Sequence, residues 1–323
     1  MVYENTPAGQ DHRTMRGRRK KPGGRAAGRP RKRTSPRRAL RREVPGTVGV
    51  LADAYDFEAM RAYRSFAFDD HASYLRGIES LLKALAAAHL HLTVALFDPE
   101  DFAAYCSDEG IDPDTPLSRG RYTAVVAGRG SALTYTGQPL DQLLPQLIDK
   151  AVRQATWEYA ATLLAGIGEC ADCGQDIGRA SFDRASHILM CLLEQAGPGR
   201  HHLVCSVAAP EEQLLAALHA EGDSGPPAAG IEAVEGTEFV TVLATGIALG
   251  SPGGVVLRTS TSGEPDRLHG WRLDRSDLVP LSEAEVFSAY CTDATTGEPL
   301  SPEPGVEYRA GFPLTTDDPD PHH

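Results

Sequence analysis

Apolar positions along the chain follow two periods, and these set the expected elements. The run 47–52 is short, apolar and closed by Asp53, and it predicts a buried strand. A turn region rich in aromatics follows, with Tyr55, Phe57, Tyr63, Phe66 and Phe68. Asp69 and Asp70 then offer N-caps for a helix whose Leu75, Ile78, Leu81, Leu82 and Leu85 make one apolar stripe. The run 90–97 predicts a second strand, ending at Asp98. Strand, helix and strand in this order imply a βαβ crossover with parallel pairing.

Further on, 99–105 predicts a short helix, 112–116 a loop, and 121–136 one or two strands interrupted at Gly128-Arg129-Gly130. The longest helix is expected over 143–164, where Leu144, Leu147, Ile148, Ala151, Val152, Ala155, Tyr159 and Leu163 recur at helical spacing and Pro145 fits a first turn. Beyond Gly168 the pattern predicts a helix over 182–194, a strand over 202–207, a helix over 211–220 and a surface loop over 222–230. Strands are expected over 239–249, 255–261 and 270–273, with a turn at 250–254, and a short helix over 283–290 precedes a Pro-rich acidic end. The sum is an α/β protein, with α+β as the alternative: a mixed sheet with a βαβ start and a more antiparallel C-terminal part. It divides into an α/β region, 47–167, and an α+β region, 168–314, with an acidic tail at 315–323 expected to be disordered.

Charge changes this picture at the N-terminus. Of the chain's 32 basic and 44 acidic residues, 15 and three lie in 1–43, which leaves 17 basic and 41 acidic side chains for the rest. The net charge of −12 therefore joins a basic arm to an acidic body. With almost nothing apolar to bury, residues 1–46 are expected to be disordered. Within the arm, Gly28-Arg29-Pro30-Arg31-Lys32 resembles the core of an AT-hook, whose Arg-Pro segment lies in the narrow minor groove of A·T-rich DNA. The resemblance implies DNA as a partner and Arg29, Arg31, Lys32 and Arg33 as contacts, although Ala27 stands where the motif has a further Arg. Phosphate attraction without base reading is the simpler form of the same contact. A competing account follows from usage: the chain has 27 Arg, five Lys and one Asn, the bias of high-GC coding. Upstream DNA read in frame would give such an arm, with the true start at Val44, Val48 or Val50.

No stretch of eighteen apolar residues occurs and no secretory pattern opens the chain, so a cytoplasmic protein with no membrane partner is expected. Its six cysteines then read as thiols, some of them candidate metal ligands. Cys170-Ala-Asp-Cys173-Gly174 is the most specific local motif and resembles half of a zinc ribbon. A two-residue gap points two thiolates at one metal, and the glycine relieves the turn. His202 and Cys205 are the candidates to complete a zinc site, with His201 and His187 as alternates. On a regular strand, however, positions 202 and 205 face opposite ways. A redox pair fits less well, because a long helix rather than a strand precedes the motif.

Asp53 and Asp98 end the two predicted parallel strands, where α/β sheets place their ligands. With Asp56, Glu100 and Asp101 nearby, they are candidate catalytic carboxylates for Mg²⁺-dependent phosphate chemistry; as residues just after strands they serve equally well as caps. His71, His89 and His91 fit surface or interstrand positions, and Arg119, Arg121 and Arg129 a solvated face. The phosphate-loop, dinucleotide, nucleophile-elbow and His-Glu-x-x-His motifs do not occur.

Taken together, 50–60, 155–160 and 201–207 resemble an uncharacterised type of actinobacterial protein, a resemblance that implies no activity and transfers no catalytic residue. Three function classes remain. The first is a non-catalytic regulatory or interaction protein, stabilised by zinc in one form, and it is favoured by a cysteine knuckle without a catalytic motif. The second is a nucleic-acid-associated protein using the arm, and the third a metal-dependent phosphate-acting enzyme.

Overall fold

A computed structural model describes residues 46–88, 91–222, 230–293 and 296–314. The first part begins with β1 (Thr47–Val50), α1 (Ala54–Met60), α2 (His71–Ala86) and β2 (Thr93–Leu96). It continues with α3 (Pro99–Asp108), α4 (Pro116–Gly128) and β3 (Leu133–Thr134). β1 and β2 pair in parallel, Thr47 with Thr93 through Val50 with Leu96, and β3 adds antiparallel to β2. This is the expected βαβ start. Asp70 caps α2 by accepting the Ser73 N–H at 2.7 Å, and the stripe lays Ile78 and Leu82 against Val50 and Val94 in one core.

A 28-residue helix, α5 (Leu140–Ile167), then crosses from the first core to a second. Its Leu140, Leu143 and Leu147 belong to the first, and its Ala160, with Tyr159, Leu163 and Leu164 beside it, to the second. Pro145 lies one turn deeper in α5 than the sequence suggests, six residues from its start.

The second core is built by α6 (Ile177–Ala196), β4 (Gly199–Ala208), β5 (Gln213–Gly222), α7 (Ala233–Leu249), β6 (Gly253–Ser260), β7 (Asp266–Asp274) and β8 (Asp277–Pro280). α8 (Glu283–Tyr290) and β9 (Val306–Tyr308) complete the chain. The strands form a six-stranded sheet in the order β5-β4-β6-β7-β8, antiparallel throughout, with β9 added parallel to β7. The mixed first sheet and more antiparallel second one agree with the expected α/β class. Inward residues alternate along β4, where His201, Leu203, Cys205 and Val207 are buried. α7 lies so close over this layer that a Cβ on Gly246 would stand 2.7 Å from Leu273 and 2.8 Å from Val207.

Four expectations are corrected. The aromatic stretch after β1 contains a helix, α1, because the Asp53 carboxylate accepts the Asp56 N–H at 2.8 Å and starts it. Residues 121–136 are mostly helix, not strand: Thr115 caps α4, Pro116 occupies its first position, and only Leu133–Thr134 pairs as a strand. Residues 211–220 are strand, not helix, since β5 pairs with β4 at ten positions and buries Leu214, Ala216, Leu218 and Ala220 with period two. Residues 239–249 are helix, not strand. In α7 the hydroxyls of Thr241 and Thr245 donate to carbonyls four residues back at 2.7 and 2.8 Å, which satisfies them inside the core.

Candidate functional site

The carboxyl ends of β1 and β2 open on a cleft of about 270 Å³. Its floor is Ala52, Leu96 and Phe97, where the parallel strands stop. Its walls come from four helices: Asp56 on α1, Asp98 and Asp101 at the start of α3, Tyr122, Val126 and Arg129 on α4, and Gln154 and Glu158 on α5. Positions 122, 126 and 129 share one side of α4, and Ala151, Gln154, Ala155 and Glu158 one side of α5, so each helix presents a continuous face. Gln154 donates to Glu158 at 2.8 Å, which fixes that carboxylate at the rim.

The two aspartates expected at the strand ends have a definite local role. Asp53 caps α1, while Asp98 Oδ1 accepts the N–H groups of both Glu100 and Asp101, at 2.8 and 3.0 Å, and caps α3. Each anion is thereby matched to a helix N-terminus. Asp98 also lines the cleft; Asp53 stands beside Asp56 without lining it. Burial, and then repulsion from Asp53, Asp98 and Glu100, raise the Asp56 carboxyl above its ordinary 3.8. The Tyr122 phenol is pushed up by burial and by the charges of Asp101 and Asp98, so it stays a neutral hydroxyl. Among the described residues no group of three or more His, Cys, Asp or Glu side chains is arranged to hold a metal, so the Mg²⁺ reading has no ligand set there.

The cysteine candidates are placed far less uniformly. Cys170 and Cys173 sit together in the exposed loop between α5 and α6, with the Cys170 N–H donating to Gln175 O and the Gly174 N–H to Cys170 O, both at 2.8 Å. Gly174 takes φ +72°, the left-handed turn that the motif's glycine predicts. Backbone N–H groups of Cys173 and Asp172 donate to the Cys170 sulfur and hold its thiol below the ordinary 9.0. His202 and Cys205 are on opposite faces of β4. Cys205 is fully buried in the second core, where burial pushes its thiol up to about 12. His202 stacks on His219 of β5 on the other face, ring centroids 4.6 Å apart, and burial, His219 and Arg258 lower its pKa. The period of the strand therefore keeps these two from a common metal. Of the alternates, His201 is buried against Thr259 and Gly197 O, and His187 lies 3.6 Å from Cys191.

Arg29, Arg31, Lys32 and Arg33 lie outside the described residues, as does His89. His71 reaches Leu51 O at 3.2 Å, and His91 is exposed. The arginines do not act together: Arg119 is buried on Ser65 at 2.8 Å, Arg121 is exposed, and Arg129 stands at the cleft rim. Tyr122, Gln154 and Glu158 escape the sequence reading. A helix over 116–128, signalled by Thr115-Pro116, brings Tyr122 and Arg129 to the cleft.

Residues 35–138 match a family described as "Domain of unknown function (DUF8829)". The match holds β1 to β3 and three of the four cleft walls, but stops before α5. No curated protein and no solved structure matches the chain.

Proposed function

We propose that this is a non-catalytic regulatory protein whose cleft takes a small organic cation and whose α5 helix carries the bound state to the second core. The observation that carries the reading is the position of α5. Gln154 and Glu158 line the cleft, while the neighbouring Arg153 reaches the other way, to Glu238 and Glu235 on α7 at 2.6 and 3.3 Å. A ligand that shifts α5 acts on both cores.

The ligand class follows from the lining. Asp56, Asp98, Asp101 and Glu158 oppose the single guanidinium of Arg129. Phe97 and Tyr122 add aromatic rings of the kind that attract ammonium and guanidinium groups. A bound cation relieves the repulsion that raises Asp56. Anions find less here, because the Asp98 side chain already engages the first amides of α3. Calorimetric titration of the full chain with putrescine and agmatine, against phosphate and acetate, tests this. The cations are expected to bind, and Asp101→Asn and Glu158→Gln to weaken them by about fivefold each, as for a solvent-accessible ion pair of roughly 1 kcal/mol. Binding of phosphate but of neither cation contradicts the reading.

The exposed, unpaired thiols Cys170 and Cys173 suit a reducing compartment, which supports placing the protein in the cytoplasm. Among the described residues no helix is long and apolar enough to cross a membrane.

A second reading rests on charge segregation, with 15 of the 32 basic residues in 1–43. In it Arg29, Arg31, Lys32 and Arg33 meet DNA phosphates. Affinity for duplex DNA should fall steeply with salt and vanish on deletion of 1–43, whereas equal binding by the truncated chain rejects it.

A further inference from the structure

The cysteine knuckle is a half-site with its partner ligands missing from its own surroundings. Nine residues, 168–176, link α5 to α6, and every one is exposed except Cys170, which is half-buried. Within this projection the chain is held in a tight hairpin: Glu169 bridges Asp176, Cys170 N donates to Gln175 O, and Gly174 N returns to Cys170 O. Cys170 receives backbone N–H groups from Asp172 and Cys173, and the Cys173 side chain hydrogen-bonds the same sulfur. Two thiolates on one zinc, each at about 2.3 Å with a tetrahedral angle between them, lie just under 4 Å apart, within the reach of that contact. Backbone donors to a ligating sulfur are the usual support of a metal-bound cysteine. A pair built in this way supplies two corners of a tetrahedron.

The other four cysteines supply none. Cys106 and Cys205 are buried in separate cores, Cys291 is buried against the Tyr308 hydroxyl at 3.5 Å, and Cys191 lies on α6 beside His187. Among the described residues no third His, Cys, Asp or Glu joins the pair. An exposed loop with nothing packed over it lets an identical loop approach, and a two-fold axis through one ion uses the same two residues twice.

We propose that Cys170 and Cys173 of two copies of this chain together hold one zinc ion in a Cys₄ site that joins the copies tip to tip. Glu169, Asp172 and Asp176 sit on the same projection, so their charges repel across the axis and the copies separate without metal. The metal, and not apolar burial, is the bond. This site is independent of the cleft, so either assignment stands if the other fails.

Full-length protein without an affinity tag, reduced and loaded with Zn²⁺ or Co²⁺, tests this. The expected result is half an ion per chain, a dimer by sedimentation that a chelator returns to monomer, and a cobalt spectrum with the charge-transfer band of four thiolates. Cys170→Ser and Cys173→Ser should each abolish both band and dimer with an unchanged far-UV spectrum, and Cys191→Ser neither. One ion per monomeric chain, a dimer that survives chelation, or no retained metal overturns the proposal.

Discussion

Arg153 and Glu238 are joined twice, through Nε at 2.8 Å and Nη2 at 2.6 Å from the same carboxylate oxygen, and this clamp ties α5 to α7 one residue away from the cleft. Glu235, the second acid on α7, takes Arg153 Nη1 and the backbone N–H of His219 on the edge strand β5. One guanidinium thus organises the meeting of α5, α7 and the sheet.

Replacing Arg153 by Met keeps most of the stem packing but leaves two half-buried carboxylates without their cation. Urea unfolding should show a loss of about 1–3 kcal/mol, more than an exposed ion pair is worth and less than a fully buried one. Arg153→Lys should recover part of it, since a point charge cannot satisfy both acids.

Asp98 separates a capping role from a charge role. Asp98→Ala removes the acceptor of two backbone N–H groups and should cost about 1 kcal/mol of stability, while Asp98→Asn, an equally good cap, should cost only a few tenths. If the cleft takes cations, the Asn variant nevertheless binds them more weakly. Equal stability of both variants would mean that the cap is not used.

Asp56 should give a pH signature of unusual sign. Its carboxyl is raised in the folded state, first by burial and then by Asp53, Asp98 and Glu100. The folded chain therefore holds that proton more tightly, and this contribution is present below the ordinary 3.8 and lost as pH rises through the higher folded value. Asp56→Asn should raise the melting temperature at neutral pH, with the gain shrinking toward pH 4. A gain that does not change with pH would point to packing instead of charge.

The first part of the fold was largely legible, because its helices carry both a stripe and a cap. Asp70 with Ile78 and Leu82 defines α2, and the closing Asp53 and Asp98 mark where β1 and β2 end. The second part was less so, for a physical reason. The segment Glu211 to Ala220 is composed of strong helix formers, yet its ten pairings with β4 and its alternate burial make it β5. The Val- and Thr-rich segment after Phe239 reads as a strand, yet it runs longer than most strands, the cue that identifies a buried helix. The cleft was half visible: its aspartates follow from strand ends, but Tyr122, Gln154 and Glu158 meet them only once α4 is recognised as a helix and α5 is laid across the sheet.

The same conflict yields a prediction for isolated segments. A peptide of residues 209–222 should show no strand by circular dichroism and should turn helical in trifluoroethanol, because its strand state exists only against β4. Stable β structure in the isolated peptide would show that local preference, and not pairing, sets β5.

The central claim is that the cleft and the second core communicate through α5, and hydrogen exchange of the full chain with and without saturating agmatine tests it most directly. Protection should rise at α7, residues 233–249, as well as at the cleft, and Arg153→Met should abolish the distant part while leaving the local part in place. Protection confined to the cleft, or an unchanged response at α7 in Arg153→Met, contradicts the account.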